Sequence, residues 1–446
     1  MNNAGTFWYH PHGENKTDMQ VSKGIAGMII IRDEVEAALE LPRTYGVDDF
    51  PIIVQTKSFD ILHQIQIATH ADTLLMVNGT VNAFLDAPAQ VVRLRMLNGS
   101  SERTFLFGFS NDMSFSQIAT DGGLKETPYQ TNRLMLAPGE RNEWLVDLSS
   151  FQGQTIYLMN YGSDLPDGAM GAENVGTMAT LEGYDNNPLN GADFQVLQIN
   201  VVAPTANAIT TIPSVLTTIT PINISEVDQS RTMTMSAMEM GPMNMVEGPF
   251  GINNVQFDMD VINEIVQLGD VEAWTITNQT QVAHPFHIHD VEFQILDVNG
   301  SSPAAYQQGW KDVVLVMPQQ SVTFITRFED FADPVTPYMY HCHLLHHEDE
   351  GMMRSFLVVD PNSVDESNML TGIAYPNPAR SKVSLSLSKR FDKSTQTVRV
   401  FDMMGNLIPL QMDVADNRLS IDVASLSSGM YTISIDGLNA IHFIKE

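Results

Sequence analysis

Across most of this chain no 3.6-residue hydrophobic period appears, and short runs rich in Val, Ile, Thr and Phe recur between Gly, Pro, Asn and Asp. Successive strand side chains point to opposite faces, so Gln90-Val-Val-Arg-Leu-Arg-Met-Leu97 and Gln195-Val-Leu-Gln-Ile-Asn-Val201 read as strands. Arg141-Asn-Glu-Trp-Leu-Val-Asp147 adds a third, ending on a turn residue. Many short strands punctuated in this way define an all-β chain of sandwiches. Proline-bearing joints at Leu41-Pro42, Ala203-Pro204-Thr205 and Asp360-Pro361-Asn362 divide it. The expected pieces are a head at 1–40, a second domain at 41–205, a third at 206–362 and a tail at 370–446. About forty residues rarely bury a core of their own, so the head is expected to be a remnant of a larger domain.

The net charge of −30 excludes a nucleic-acid partner held by phosphate contacts. It suits a salty or extracellular setting. Hydrophobic residues make up 43%, enough for packed cores. Apolar runs such as Ile25 to Ile31 fall far short of the roughly 18 residues a membrane helix needs, so no membrane span is expected. Met1-Asn2-Asn3-Ala4-Gly5, followed by aromatics, is not a secretory signal. The single cysteine, Cys342, cannot form an intramolecular disulfide; it is either an inert thiol or a reactive one.

Most of the twelve histidines fall into three groups: His10-Pro11-His12, His284-Pro285-Phe286-His287-Ile288-His289, and His341-Cys342-His343 with His346 and His347 after it. One His-x-His arises easily by chance. Three of them, one around the only cysteine, are hard to explain by packing. Residues i and i+2 of a strand share a face. His10 pairs with His12, His287 with His289, and His341 with His343, while Cys342 and His284 face the other way. Two metal sites bridged by one backbone segment follow from this parity.

A thiolate, two imidazoles and a weak axial thioether make a blue-copper site. His347 and Met352, five and ten residues after Cys342, are placed for a loop to fold back around one ion. The all-imidazole set suits a copper cluster that handles dioxygen. Zinc is the rival metal, but its structural sites want four ligands and often several cysteines.

His284-Pro-Phe-His-Ile-His289 and His341-Cys-His-Leu-Leu-His-His-Glu-Asp-Glu-Gly-Met352 resemble the third and fourth copper motifs of the multicopper oxidases. Phe7-Trp-Tyr-His-Pro-His12, with Gly24-Ile-Ala-Gly-Met-Ile-Ile-Ile31, resembles the second motif and the closing strand of the first cupredoxin domain. Gly309-Trp-Lys-Asp312, Thr120-Asp-Gly-Gly123 and Leu136-Ala-Pro-Gly-Glu-Arg141 are also typical of that family. The resemblance covers about residues 4–360 and is nearest the bacterial laccase-like and cuprous-oxidase branch. It implies Greek-key cupredoxin sandwiches and copper of types 1, 2 and 3. His284, Cys342, His347 and Met352 would hold type 1 copper. His287 would serve type 2, and His10, His12, His289, His341 and His343 the type 3 pair. Glu348 matches an acidic position that relays protons towards dioxygen; the other reading is a solvated carboxylate in Glu348-Asp349-Glu350.

Two departures stand out. The family's first His-x-His motif is absent, so an N-terminally incomplete chain is expected, with a degraded paralogue as the alternative. A chain short of two trinuclear ligands is expected to bind type 1 copper, hold His10 and His12 poorly, and reduce dioxygen poorly. His63 and His70 are expected on surface loops of the second domain. The run Met233-Thr-Met-Ser-Ala-Met-Glu-Met-Gly-Pro-Met-Asn-Met245 sits where cuprous oxidases collect Cu(I), yet Thr280-Gln-Val-Ala283 lacks the Asp and Met those enzymes use. Plain strand and loop methionines are the expectation.

In the tail, Ala374-Tyr-Pro-Asn-Pro-Ala379, Val398-Arg-Val-Phe-Asp-Met-Met-Gly405, Leu426-Ser-Ser-Gly-Met-Tyr431 and His442-Phe-Ile-Lys-Glu446 resemble the C-terminal sorting domain of the type IX secretion system. A small immunoglobulin-like β-sandwich is expected there, against a structural or carbohydrate-binding module. The resemblances together imply an oxidase exported through periplasm and outer membrane to the surface or medium. Its partners would be dioxygen, a small reducing substrate and the type IX secretion machinery. The other class is a non-enzymatic copper-binding or electron-transfer protein using only type 1 copper. A cupredoxin nitrite reductase is disfavoured, since it needs no His341-Cys342-His343 beside His10 and His12.

Overall fold

In the strand Val91–Asn98 every residue is buried, although its sequence alternates. Val92, Leu94 and Met96 enter an apolar core, whereas Arg93 and Arg95 enter a buried ion network on the other face. The computed structural model describes residues 3–67, 70–176, 179–360, 372–387, 397–415, 418–435 and 441–446. It divides into two units, Met1–Val359 and Asp360–Glu446.

Within the first unit, Val91–Asn98 lies between the parallel strand Asp49–Phe59 and the antiparallel strand Arg141–Asp147. Phe115–Thr120 and Gly123–Thr131 continue that sheet. Against it packs a five-stranded sheet in the order Leu134–Leu136, Phe105–Phe109, Thr155–Tyr161, Asp193–Val202, Phe84–Pro88. Phe107 and Phe115 flank Trp144 in the core between them. Removing one such ring typically costs about 3–5 kcal/mol.

A second sandwich carries the chemistry-bearing segments. One sheet runs Phe250–Ile252, Gln229–Ala237, Val271–Asn278, Ser321–Arg327, Phe293–Val298; the other runs Glu264–Gln267, Met353–Val359, Asp333–Cys342, His284–Ile288, Val313–Val316. Trp274, Phe286, Phe324, Tyr340 and Phe356 fill the space between them.

The head is a two-stranded ribbon, Gly5–Tyr9 against Gly27–Ile31, joined through the helix Thr17–Ser22. It closes no sandwich, yet it is firmly seated. Thr6 donates its hydroxyl to Glu143 at 2.7 Å, and Arg95 reaches the same oxygen of Thr6 at 3.1 Å. At the helix start, Asp349 accepts the N–H groups of Thr17 and Asp18 at 2.9 and 3.0 Å. These four hydrogen bonds correct the expectation that His10 and His12 are poorly held.

The second unit has two four-stranded sheets, ordered Gly372–Tyr375, Lys382–Leu387, Arg418–Asp422, Met412–Ala415 and Leu407–Ile408, Val398–Asp402, Gly429–Ile435, Ile441–Lys445. Val383, Leu385, Val400, Ile421, Ile433 and Phe443 form its core.

Candidate metal centre

Register decides which side chains meet. Strand His284–Ile288 pairs with Asp333–Cys342 so that Phe286 lies opposite Cys342 and His287 opposite His341. His287 and His341 therefore share one face, and His284 and Cys342 emerge on the other.

On the second face the Cys342 Sγ is 3.4 Å from His284 Nδ1 and 3.8 Å from His347 Nδ1, with all three residues buried. His347 arrives on the short helix Leu345–Asp349. Met352 is fully buried, and its main chain closes the loop: its N–H donates to the His347 carbonyl at 2.8 Å, and its carbonyl accepts from Cys342 at 3.0 Å. Thr280 Oγ1 lies 2.9 Å from His284 Nε2, which leaves Nδ1 facing the sulfur. Phe250 lies edge-on to both imidazoles, at 4.9 and 4.6 Å, and screens them from water. Burial drives the His284 pKa down to about 3 and that of His347 well below its ordinary value, so both rings stay neutral. The same burial pushes the thiol up. A dry, neutral N2S set, with the buried Met352 on the adjoining loop, fits a soft cation that would draw off the thiol proton.

On the first face six imidazoles converge. Donor atoms of His12, His289 and His341 lie within 4.8 Å of one another, and His12 Nε2 is 3.2 Å from His341 Nε2. His10 and His343 meet edge-on at 5.5 Å, with the His287 ring 5.7 Å from His343. Main-chain carbonyls orient the rings. Nδ1 of His10, His287 and His341 faces the carbonyls of Pro11, Asp312 and Cys342 at 3.0, 2.8 and 3.0 Å, leaving each Nε2 turned inward. His343 Nδ1 is buried and has no hydrogen-bond partner among the described residues. Burial lowers His12 and His287 to about 4, and His289 and His343 well below the usual value. His341 is the exception: burial opposes its charge, but Glu348 raises it above the usual value. The other converging nitrogens are neutral, and with one left orphaned they fit bound metal better than a hydrogen-bonded core.

Glu348 is 2% exposed, which removes the reading of a solvated carboxylate. It stands 3.1 Å from His341 Nδ1 and 3.5 Å from His12 Nε2, in ion-pair contact but without hydrogen-bond alignment. Burial opposes its charge, but the two imidazoles outweigh that and hold it at about 2. Asp349, in the same acidic run, caps the head helix.

Three sequence motifs come together beneath the imidazoles. Arg141 grips Asp312 through two bonds of 2.6 and 2.7 Å and also donates to the Thr6 carbonyl at 3.1 Å. Lys311 bridges Asp121 and Glu140 at 2.6 and 3.0 Å. The network thus ties head, second domain and His287 into one frame. Gly139, at φ +84°, lies so near His343 that a Cβ there would fall 2.8 Å from its ring.

His63 is exposed on a loop, as expected; His70 also lies in a turn but is largely covered, its side chain 16% exposed and in contact with Glu102 at 2.9 Å. Met233 and Met235 are buried strand residues, while Met240 and Met243 are exposed, as plain strand and loop methionines would be. Sequence reasoning missed Phe250 and Thr280, whose positions carry no motif.

The paired donor sets on one cupredoxin-like sandwich define a copper oxidoreductase. Residues 1–36 and 221–362 match models of the multicopper oxidase family, and 373–445 match the secretion system C-terminal sorting domain. A multicopper oxidase of Staphylococcus haemolyticus is 30% identical over 80% of this chain and 69% of its own. The solved laccase-like CueO from Ochrobactrum sp. shares 31% identity, with a TM-score of 0.68 over 80% of this chain and 78% of that one. The cell division protein FtsP of Xenorhabdus nematophila is 32% identical over 80% of this chain and 71% of its own. This chain belongs to the multicopper oxidases. Copper of types 1, 2 and 3 is the cofactor of that family, and the sorting domain marks the protein for export. No helix among the described residues is long and apolar enough to cross a membrane.

Proposed function

We propose that the protein couples one-electron oxidation of a small reducing substrate, phenol-like or a metal ion, to four-electron reduction of dioxygen to water. The observation that carries this is a register that turns Cys342 into one donor set while its neighbour His341 enters the other, on the opposite face of the same strand. His284, Cys342, His347 and Met352 would hold type 1 copper, His287 type 2, and His10, His12, His289, His341 and His343 the type 3 pair. Copper bound there supplies the one-electron chemistry and the affinity for dioxygen.

The chain's own residues do the rest. Cys342 and its neighbours His341 and His343 give an unbroken covalent path between the two faces. Phe250 keeps water off His284 and His347, and Thr280 fixes the tautomer of His284. Glu348 holds a negative charge beside His341 and His12, where it can take a proton at a carboxylate oxygen and pass it inward. A cleft lined by His10, His287 and His289 admits dioxygen. The solved relative from Ochrobactrum is described as active towards lignin model compounds and lignosulfonate, which favours a phenol-like donor. Export would run through periplasm and outer membrane by type IX secretion.

A second reading, electron transfer or copper binding without oxidase activity, is kept because some relatives are named for cell division and not for an oxidase. The converging imidazoles favour the oxidase. Oxygen uptake by the copper-loaded protein with a phenolic donor tests the choice. Slow donor-dependent uptake, lost in Cys342→Ser, is expected, since only six trinuclear-type histidines are present; blue absorption with uptake no faster than in Cys342→Ser would favour the second reading.

A further inference from the structure

A third donor set lies outside both sites. His70 sits just before the strand Leu74–Val77, Glu102 follows the strand Val91–Asn98, and His346 lies on the helix Leu345–Asp349. One donor atom from each falls within 4.8 Å of the others. Glu102 Oε2 is 2.9 Å from His70 Nδ1 and 3.7 Å from His346 Nδ1, and the two rings meet edge-on at 5.7 Å. The three side chains are only 16, 7 and 12% exposed.

The surrounding backbone holds this arrangement in place. Asn187 donates to the His70 carbonyl at 2.9 Å, and Leu345 donates its N–H to the Ser101 carbonyl at 2.9 Å. These bonds fix the residues on either side of the triad independently of its own contacts. A narrow cleft lined by Asp18, Lys57, Asp72, Glu102 and His346 opens beside it. Lys57 and Arg103 bring positive charge, and Asp18, Asp72 and Glu102 outnumber them. A His70–Glu102 ion pair alone would explain two of the residues. It leaves unexplained why His346, next to a type 1 ligand, turns its Nδ1 to the same carboxylate.

We propose that His70, Glu102 and His346 bind a divalent first-row cation of the Zn2+ class, distinct from the copper sites. Two imidazoles and a carboxylate, with neither thiolate nor thioether, suit a borderline divalent ion and not Cu(I). The ion would join the second domain to the helix bearing His347 and Glu348. This inference does not depend on the oxidase reading.

The test loads the full chain with copper, adds Zn2+ alone, removes the excess and counts metals. One zinc per chain beyond the copper is expected, with a zinc absorption-edge spectrum showing only nitrogen and oxygen donors, two of them imidazole. His70→Ala and Glu102→Gln should each lose that zinc while retaining the blue absorption that reports an intact Cys342 site. Retention of the zinc by blue His70→Ala protein would overturn the proposal. Should both variants fail to fold, the wild-type spectrum still decides: sulfur in the zinc shell, or no extra zinc, overturns it.

Discussion

Gly139→Ala isolates the contact between the second domain and His343, a proposed trinuclear ligand. Gly139 has φ +84°, and an added Cβ would lie 2.8, 2.9 and 2.9 Å from Cδ2, Cγ and Nε2 of His343. Left-handed backbone costs a non-glycine residue about 1–2 kcal/mol. Overpacking a buried site costs about 1–3 kcal/mol more, and His343 is buried. The expected loss is therefore about 2–5 kcal/mol in all. Gly153→Ala is the control: φ is +78° and nothing lies within 4 Å of the added carbon. It should lose only the backbone part, and both variants gain equally from a stiffer unfolded chain. Urea unfolding of the copper-free proteins measures the difference, and copper content measures the consequence for His343. Gly139→Ala should lose copper from the imidazole set yet keep the blue absorption. Equal stabilities and equal copper contents in the two variants would refute the placement of His343.

Thr280→Val removes the partner of His284 Nε2 and should weaken copper at the Cys342 site by about 10- to 100-fold, read by competition with a chelator. Met352→Leu should raise the type 1 reduction potential without loss of copper; a shift in Met353→Leu alone would move the axial role to Met353. Burial holds His284 at about 3 and His12 and His287 at about 4, against about 6.5 unfolded. Above pH 6.5 these rings add no pH dependence. Between 6.5 and 4 the unfolded chain takes up protons that the folded chain refuses, so copper-free protein should lose about 1.4 kcal/mol per pH unit for each such ring. Urea midpoints that stay level across that window would contradict it. Deleting residues 372–446 should leave the copper spectrum intact and abolish export, as cell fractionation would show.

Strand parity made the two donor sets legible, because a period of two leaves no ambiguity once the strand is recognised. His287 opposite His341, with Cys342 turned away, is the outcome that parity demands. What stayed illegible depends on residues distant in sequence. Arg93 and Arg95 look like the solvated face of an alternating strand, but Glu36, Asp49 and Glu143 meet them under the head. Glu348 reads as part of a solvated acidic run until the helix Leu345–Asp349 turns it towards His341. His70 carries no local signal for its burial, which comes from Glu102 and His346 on other elements. The family motifs Gly309–Asp312 and Leu136–Arg141 were visible, but their joint purpose, an ion network under the imidazoles, emerges only in three dimensions.

On the proposed reading Cys342 belongs to one copper site and joins it to a second, separate one. Copper counting with electron paramagnetic resonance, on wild type and Cys342→Ser side by side, tests it most directly. Wild type should show a type 1 signal together with further copper, and the variant should lose the type 1 signal alone. A type 1 signal that survives in Cys342→Ser, or wild-type protein that binds a single copper, would contradict it.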